Sequence, residues 1–237
     1  MKLFLSVVKN DLKIIFRDST MYIMFFLPLI FIALCRFLVP LATRYLLPVL
    51  PEYYWLIVAG FTSVSASTPS FLTGFILLDE RDENIHVLQK VLPLPANFIL
   101  KCRTIFMVIA SFFFSIIILQ FNGLINLKFI YLVMISVLFS FIPPILTFSI
   151  VAFAKNKIEA TTMYKGLSMF LVLPVAAFFI KSGWKYGFGA IPFFWTFNAF
   201  QLEGALWLSL GNFLIGLVVH LIFIVLFYTL YKKKITV

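Results

Sequence analysis

The chain has 237 residues, of which 63% are hydrophobic and only 12% charged, and it carries a net charge of +10. Soluble domains are roughly 45–50% apolar and about 25% charged, so a single core of this size cannot hide such an excess. A lone soluble enzyme and a nucleic-acid-binding domain are excluded, and at about 20 residues per span the length accommodates five to seven membrane-crossing helices.

Residues 1–20 hold the first predicted element. Leu5, Val8, Leu12 and Ile15 fall on one helical face, while Lys9, Lys13 and Arg17 recur every fourth residue on another. Such a helix is expected to lie in the cytoplasmic interface, apolar side toward the acyl chains and basic side toward phosphates. It lacks the compact apolar core and small-residue cleavage site of a signal peptide.

Six apolar stretches follow: Met21–Leu41, Tyr54–Leu78, Thr104–Phe121, Phe129–Ala154, the shorter Gly166–Ile180, and Gly211–Tyr231. Unbroken apolar runs of this length read as helices, because a backbone in lipid must pair its polar groups internally. In the first span, Arg36 is either a residue of a substrate path or a side chain that snorkels outward. The second span carries Thr62, Ser63, Ser65, Ser67, Thr68, Ser70 and Thr73, with Pro69 as a kink. Small residues permit close helix approach. The face therefore serves packing, or a dimer interface lining a translocation path, for which Ser63, Ser67, Ser70 and Thr73 are the candidates.

Between spans two and three, residues 79–103 open with the charged string Asp79-Glu80-Arg81-Asp82-Glu83. Ile85, Leu88 and Leu92 then form an apolar edge that Pro93 and Pro95 terminate. A short helix with an apolar edge and an acidic start is suited to the groove of a cytoplasmic partner. The plain alternative is a solvated loop whose charges only fix topology.

Residues 181–210 are too apolar for an ordinary outer loop: Gly183-Trp184-Lys185-Tyr186-Gly187-Phe188-Gly189 precedes Ile191-Pro192-Phe193-Phe194-Trp195. Helices dipping back into the outer leaflet are expected, with Trp and Tyr at the interface; an aromatic interfacial loop is the alternative. Glu203 has Lys181 and Lys185 as prospective partners, or neutralises a cationic substrate. His220 in span six is either a path residue or a satisfied helix contact.

With six spans both termini share a side. Fourteen of the 19 basic residues flank that side, including Lys232, Lys233 and Lys234, which places the termini in the cytoplasm. The net charge of +10 then reads mainly as orientation, with attraction to anionic lipid as a second effect. Cys35 and Cys102 fall toward opposite ends of their spans and offer no metal spacing. The chain has no Gly-x-x-x-x-Gly-Lys-Ser/Thr loop, and no carboxylate falls inside the six spans. Uphill transport would accordingly draw its energy from another polypeptide.

The amphipathic first helix, the Leu78–Glu83 block, Pro93-Leu94-Pro95 and the six spans together resemble an ABC-2 type permease. The acids Glu80 and Glu83 and a proline at Pro93 or Pro95 match that family's loop, with Asn84-Ile85 where Gly-Thr is common. Within the family, the chain is most similar to small drug or fluoroquinolone export permeases. The resemblance implies an all-α integral membrane protein forming one permease domain over residues 1–237. Its elements would be an elbow helix, a coupling helix between spans two and three, and re-entrant outer helices between spans five and six.

It further implies a cytoplasmic ABC ATP-binding subunit as partner, with ATP and Mg on that subunit and no cofactor on this chain. A second permease copy or paralogue would complete the path, and the site would be a bacterial cytoplasmic membrane. Asp79, Glu80, Arg81, Asp82, Glu83, Ile85, Leu88 and Leu92 would contact the ATPase. Two other classes remain open: a membrane-embedded lipid-modifying enzyme, and a non-transporting immunity or sensor protein.

Overall fold

The computed structural model describes residues 2–45, 47–83, 85, 95, 97–180 and 183–235. Every regular element among them is helical, and no strand occurs among the described residues. Helix α1 (Lys2–Arg17) is the predicted amphipathic segment. Ile15 is buried and Val8 and Leu12 are half-buried, whereas Leu5 stays exposed with Leu3 and Phe16. Lys2, Lys9, Lys13 and Arg17 are all exposed on the basic face.

The first apolar stretch is one path broken into pieces. Asp18 caps α2 (Ser19–Phe25), its Oδ1 accepting from the N–H groups of Thr20 at 2.8 Å and Met21 at 3.0 Å. A break at Phe26 precedes α3 (Leu27–Ala33), where Pro28 occupies the first turn and needs no N–H partner. A π-helical turn, Leu34–Leu38, then leads to α4 (Val39–Tyr45). Pro40 lacks the N–H that the Arg36 carbonyl would otherwise receive, and the wider turn absorbs that gap.

Helix α5 (Tyr54–Asp82) has 29 residues, about 44 Å at 1.5 Å per residue. The hydrocarbon core is about 30 Å thick, so α5 projects beyond it. The expected span ended at Leu78; the charged string through Asp82 instead continues the same helix. Helix α6 (Phe98–Phe121) likewise starts earlier than the expected Thr104, so Lys101 and Arg103 lie within its first two turns rather than flanking it. Charge alone was a poor boundary marker here, because Glu80, Arg81 and Arg103 bond within the fold rather than being left to water.

Helices α7 (Phe129–Ser140) and α8 (Ile142–Phe153) meet at Phe141, where Pro143 and Pro144 interrupt the ladder. Helix α9 (Lys157–Ala176) is capped by Asn156, which accepts from the Glu159 N–H at 2.9 Å; Glu159 in turn accepts from the Lys155 N–H at 2.7 Å. A 3-10 segment, Gly183–Ala190, precedes α10 (Pro192–Gln201), and α11 (Leu206–Ile235) closes the order.

Among the described residues, five helical stretches are long and apolar enough to cross a bilayer: Leu27–Tyr45, Leu50–Asp82, Phe98–Phe121, Phe129–Phe153 and Leu206–Lys233. The expected fifth span, Gly166–Ile180, covers the second half of α9 and a 3-10 turn, Ala177–Phe179, and is not among them.

Helix α5 is the centre of the molecule, packed by α6, α8, α9 and α3. Its Val58, Ala59, Ala66 and Leu78 join Leu119, Ile135, Phe139, Phe148 and Phe197 in the main core. Helices α6 and α11 and the α3–α4 path leave most of their apolar surface uncovered, as lipid-facing helices do. Helix α10, at ten residues, spans only about 15 Å and cannot cross a membrane. It is nonetheless buried among α7, α9 and α11, with Phe193, Phe194, Phe197 and Phe200 inside.

Candidate functional site

The strongest polar feature sits where α1, α5 and α6 meet. The Arg103 guanidinium donates from Nε and Nη2 to the two carboxylate oxygens of Asp11, both at 2.8 Å. It also donates from Nη1 and Nη2 to Glu80, at 2.6 and 2.7 Å. The Arg103 and Asp11 side chains are only 3% and 5% exposed, and Glu80 is 17% exposed. A buried arginine without partners would carry a large desolvation cost, and the two-sided fork of charge-assisted bonds offsets it. The next residue, Arg81, points elsewhere: its guanidinium donates to the carbonyls of Ala154 at 2.8 Å and Lys155 at 2.5 Å, at the α8–α9 junction.

This divides the residues expected to meet a cytoplasmic partner. Glu80 and Arg81 have internal contacts, whereas Asp82 and Glu83 are exposed at the helix end and Ile85 is half-exposed. Asp79 is also half-buried. Leu88 and Leu92, the apolar edge of the expected coupling helix, lie outside the described residues. Asp11 lies outside the apolar spans, so an inspection of spans for carboxylates does not reveal it. A lone acid interrupting an amphipathic helix, with an arginine just inside a later span, was the available signal.

The hydroxyl-rich face of α5 is enclosed within the chain. Ser63, Ser67, Ser70 and Thr73 are all buried, at 4% exposure or less. Several of these hydroxyls bond their own helix, as Ser67 Oγ does to the Val64 carbonyl at 2.8 Å and Ser70 Oγ to the Ser67 carbonyl at 2.6 Å. Neighbouring helices add cross-links: Thr147 Oγ1 donates to the Ser70 carbonyl at 3.2 Å, and the Tyr164 hydroxyl donates to the Ser67 carbonyl at 3.2 Å. Within this chain, the face makes helix-to-helix contacts.

Arg36, Glu203 and His220 occupy separate places. Arg36 Nε donates to the Phe121 carbonyl at 2.9 Å, closing the C-terminus of α6. Its side chain lies 3.4 Å from where a Cβ on Gly123 would stand, and Gly123 itself has φ +73°, a conformation that favours glycine. Glu203 accepts from the Lys128 N–H at 3.1 Å, just before α7. Of its two expected partners, Lys181 lies outside the described residues, and Lys185 sits over the Tyr186 ring at 5.1 Å.

His220 is fully buried on α11, its Nδ1 2.7 Å from the Gly216 carbonyl and its Nε2 3.5 Å from Thr196 Oγ1. It belongs to a polar seam between α10 and α11. There Asn198 Nδ2 donates to Asn212 Oδ1 at 2.7 Å, Asn212 Nδ2 to the Trp195 carbonyl at 2.9 Å, and Ser209 Oγ to the Leu202 carbonyl at 2.6 Å. Asn198 and Asn212 were visible in the sequence as amides in apolar runs, but only the fold shows them paired.

The expected path residues therefore do not converge: four lie in the α5 core, Arg36 closes the end of α6, Glu203 meets the start of α7, and His220 sits in the α10–α11 seam. An apolar groove of about 430 Å³ opens beside α4 and the start of α5, lined by Val39, Ala42, Leu56, Gly60 and Phe61 among others.

No solved structure matches the chain. Two curated relatives from Mycobacterium tuberculosis do: the fluoroquinolones export permease protein Rv2686c of strain H37Rv, and MT2760 of strain CDC 1551. Each is 26% identical over 199 residues, covering 81% of this chain and 79% of the relative. The family described as fluoroquinolones export permease protein Rv2686c-like matches residues 11–228. That match runs from Asp11 of the buried charge cluster to Tyr228 of the last helix, and the chain belongs to this family of membrane permeases.

Proposed function

We propose that the chain is the membrane subunit of an ATP-driven exporter that carries amphipathic drug-like molecules out of the cell. Its membership of a family described as fluoroquinolone export permeases carries the reading. Apolar helices in a family of permeases support transport rather than catalysis. The energy source is assigned to a separate ABC ATPase that holds ATP and Mg, because this sequence contains no phosphate-binding loop. Six spans, with α9 counted as the fifth, put both termini in the cytoplasm of a bacterial cytoplasmic membrane. A second permease copy or paralogue would complete the path, with α10 and its flanking 3-10 segment re-entering the outer leaflet.

In this reading the motor docks at the end of α5 and the residues that follow. Asp82 and Glu83 are the exposed acids there; Asp82 Oδ1 lies 3.6 Å from Arg81 Nε at the surface, while the bonds of Glu80 to Arg103 and of Arg81 to the Ala154 carbonyl lie further in. The test is co-expression with a candidate ABC ATPase from the same organism, followed by purification and uptake of a fluorescent fluoroquinolone into inverted vesicles. ATP-dependent uptake is expected, and Asp82→Lys combined with Glu83→Lys should release the ATPase while the permease stays folded in the membrane. Retention of the ATPase and of drug-stimulated hydrolysis in that variant would refute docking at this end. Uptake that ignores ATP would refute the exporter.

A further inference from the structure

The charge cluster of Asp11, Glu80 and Arg103 does more than hold three helices together. A buried ion group contributes little net stability, since apolar residues of equal volume commonly do as well. What it fixes is geometry. Arginine offers a planar fork on two edges, and here one edge grips α1 and the other grips α5, from a base on α6.

Helix α1 needs that fixing. Only Asp11 and Ile15 are fully buried along its 16 residues, and its apolar packing is a small patch in which Leu12 and Ile14 lie half-buried beside Ile15 against Phe71, Leu72 and Ile76. It also leads directly, through the Asp18 cap, into the first membrane-crossing path. At the other end of the chain of contacts, Glu80 stands two and three residues before the exposed Asp82 and Glu83. Its neighbour Arg81 holds the carbonyls of Ala154 and Lys155. The last turn of α5 is thus tied on one side to α6 and α1, and on the other to the junction of α8 and α9.

We propose that Arg103 is a positioning residue that makes α1 and the cytoplasmic end of α5 move as one body, so that a push on the docking segment reaches the first span. The coupling half of this proposal rests on the reading that an ATPase docks beside Asp82 and Glu83; the mechanical half does not.

Two measurements separate them. The first uses the full chain in lipid nanodiscs without any ATPase. Spin labels replace Lys13 and Glu83, both exposed, with Cys35 and Cys102 changed to Ala. The parent protein should give one narrow distance distribution. Asp11→Asn leaves Arg103 paired with Glu80 but frees α1, and should broaden the distribution or add a second distance. Arg103→Lys keeps the charge but loses the two-edged fork, and should do the same. It decides the question if the Asn variant folds poorly. An unchanged narrow distribution in either folded variant overturns the proposal.

The second measurement is fluoroquinolone moved per ATP hydrolysed, in vesicles containing permease and ATPase. Asp11→Asn should retain the ATPase, since Asp11 is buried and is not one of the exposed docking acids, yet lower the ratio about 5–10-fold, the scale of an ordinary coupling energy. Asp11→Glu, which keeps the carboxylate, should restore most of it. A parental ratio in Asp11→Asn overturns the coupling role. If no ATPase binds the parent, the docking reading fails, and the spin-label distances still decide whether Arg103 ties the two segments.

Discussion

Gly216 offers the sharpest test of how α10 is held against α11. A Cβ at this position would lie 2.9 Å from Trp195 Cβ and 3.1 Å from Leu138 Cδ2. Carbon atoms pack best at about 3.5–4.0 Å, so Gly216→Ala forces α10 and α7 back by roughly 0.5–1 Å. Trp195 Cβ is the root of its side chain, and it cannot yield without moving the α10 backbone. Overpacking of this kind costs about 1–3 kcal/mol, while alanine gains about 1 kcal/mol over glycine inside a helix.

Gly74→Ala on α5 is the control, because nothing lies within 4 Å of its added Cβ. It takes the same helical gain without the clash. The difference between the two variants therefore isolates the packing cost of about 1–3 kcal/mol, or roughly 2–12 °C in melting temperature for a chain of this size. Thermal unfolding in nanodiscs, followed by tryptophan fluorescence, reads it directly. If Gly216→Ala melts at or above Gly74→Ala, α10 does not sit as closely on α11 as described. The burial of this short helix would then need another explanation.

Three further outcomes are expected. Asn212→Leu removes the partner of the buried Asn198 amide and a donor to the Trp195 carbonyl. It should cost about 1–3 kcal/mol in the same melting assay, and less than additively when combined with Asn198→Leu. Arg81→Ala loses two charge-assisted bonds from a side chain that is 25% exposed, and should cost about 1–3 kcal/mol. Hydrogen exchange should quicken at the start of α9, and unchanged exchange there would show that Arg81 does not hold the junction. Arg36→Gln removes a cation from the C-terminus of α6 and should cost about 0.3–1 kcal/mol, with the proposed drug uptake retained. Abolished uptake in a folded Arg36→Gln would return that residue to the substrate path.

The sequence by itself determined the class of protein and much of its plan. Apolar excess in runs of about 20 residues means helices in lipid, because water is absent there to satisfy an unpaired backbone. The two periodicities of residues 3–18 marked α1, and the Pro192–Trp195 run marked a segment too apolar for a loop. The same reading failed at the charged boundaries. Periodicity and hydropathy report whether a residue suits water or lipid, but an ion met by its counter-ion suits neither rule.

Only the tertiary structure decided that Arg103 lies inside, between Asp11, 92 residues away in sequence, and Glu80, 23 residues away. Such partners are set by how helices pack, which no local pattern records. The same holds for the hydroxyls of α5. Their spacing marked a face, and the central position of that helix decided that the face is filled by α6, α8 and α9. Composition and period act along the chain and are legible there. The pairing of distant polar groups is a property of the packed bundle, because each pair forms only where packing excludes water from both partners.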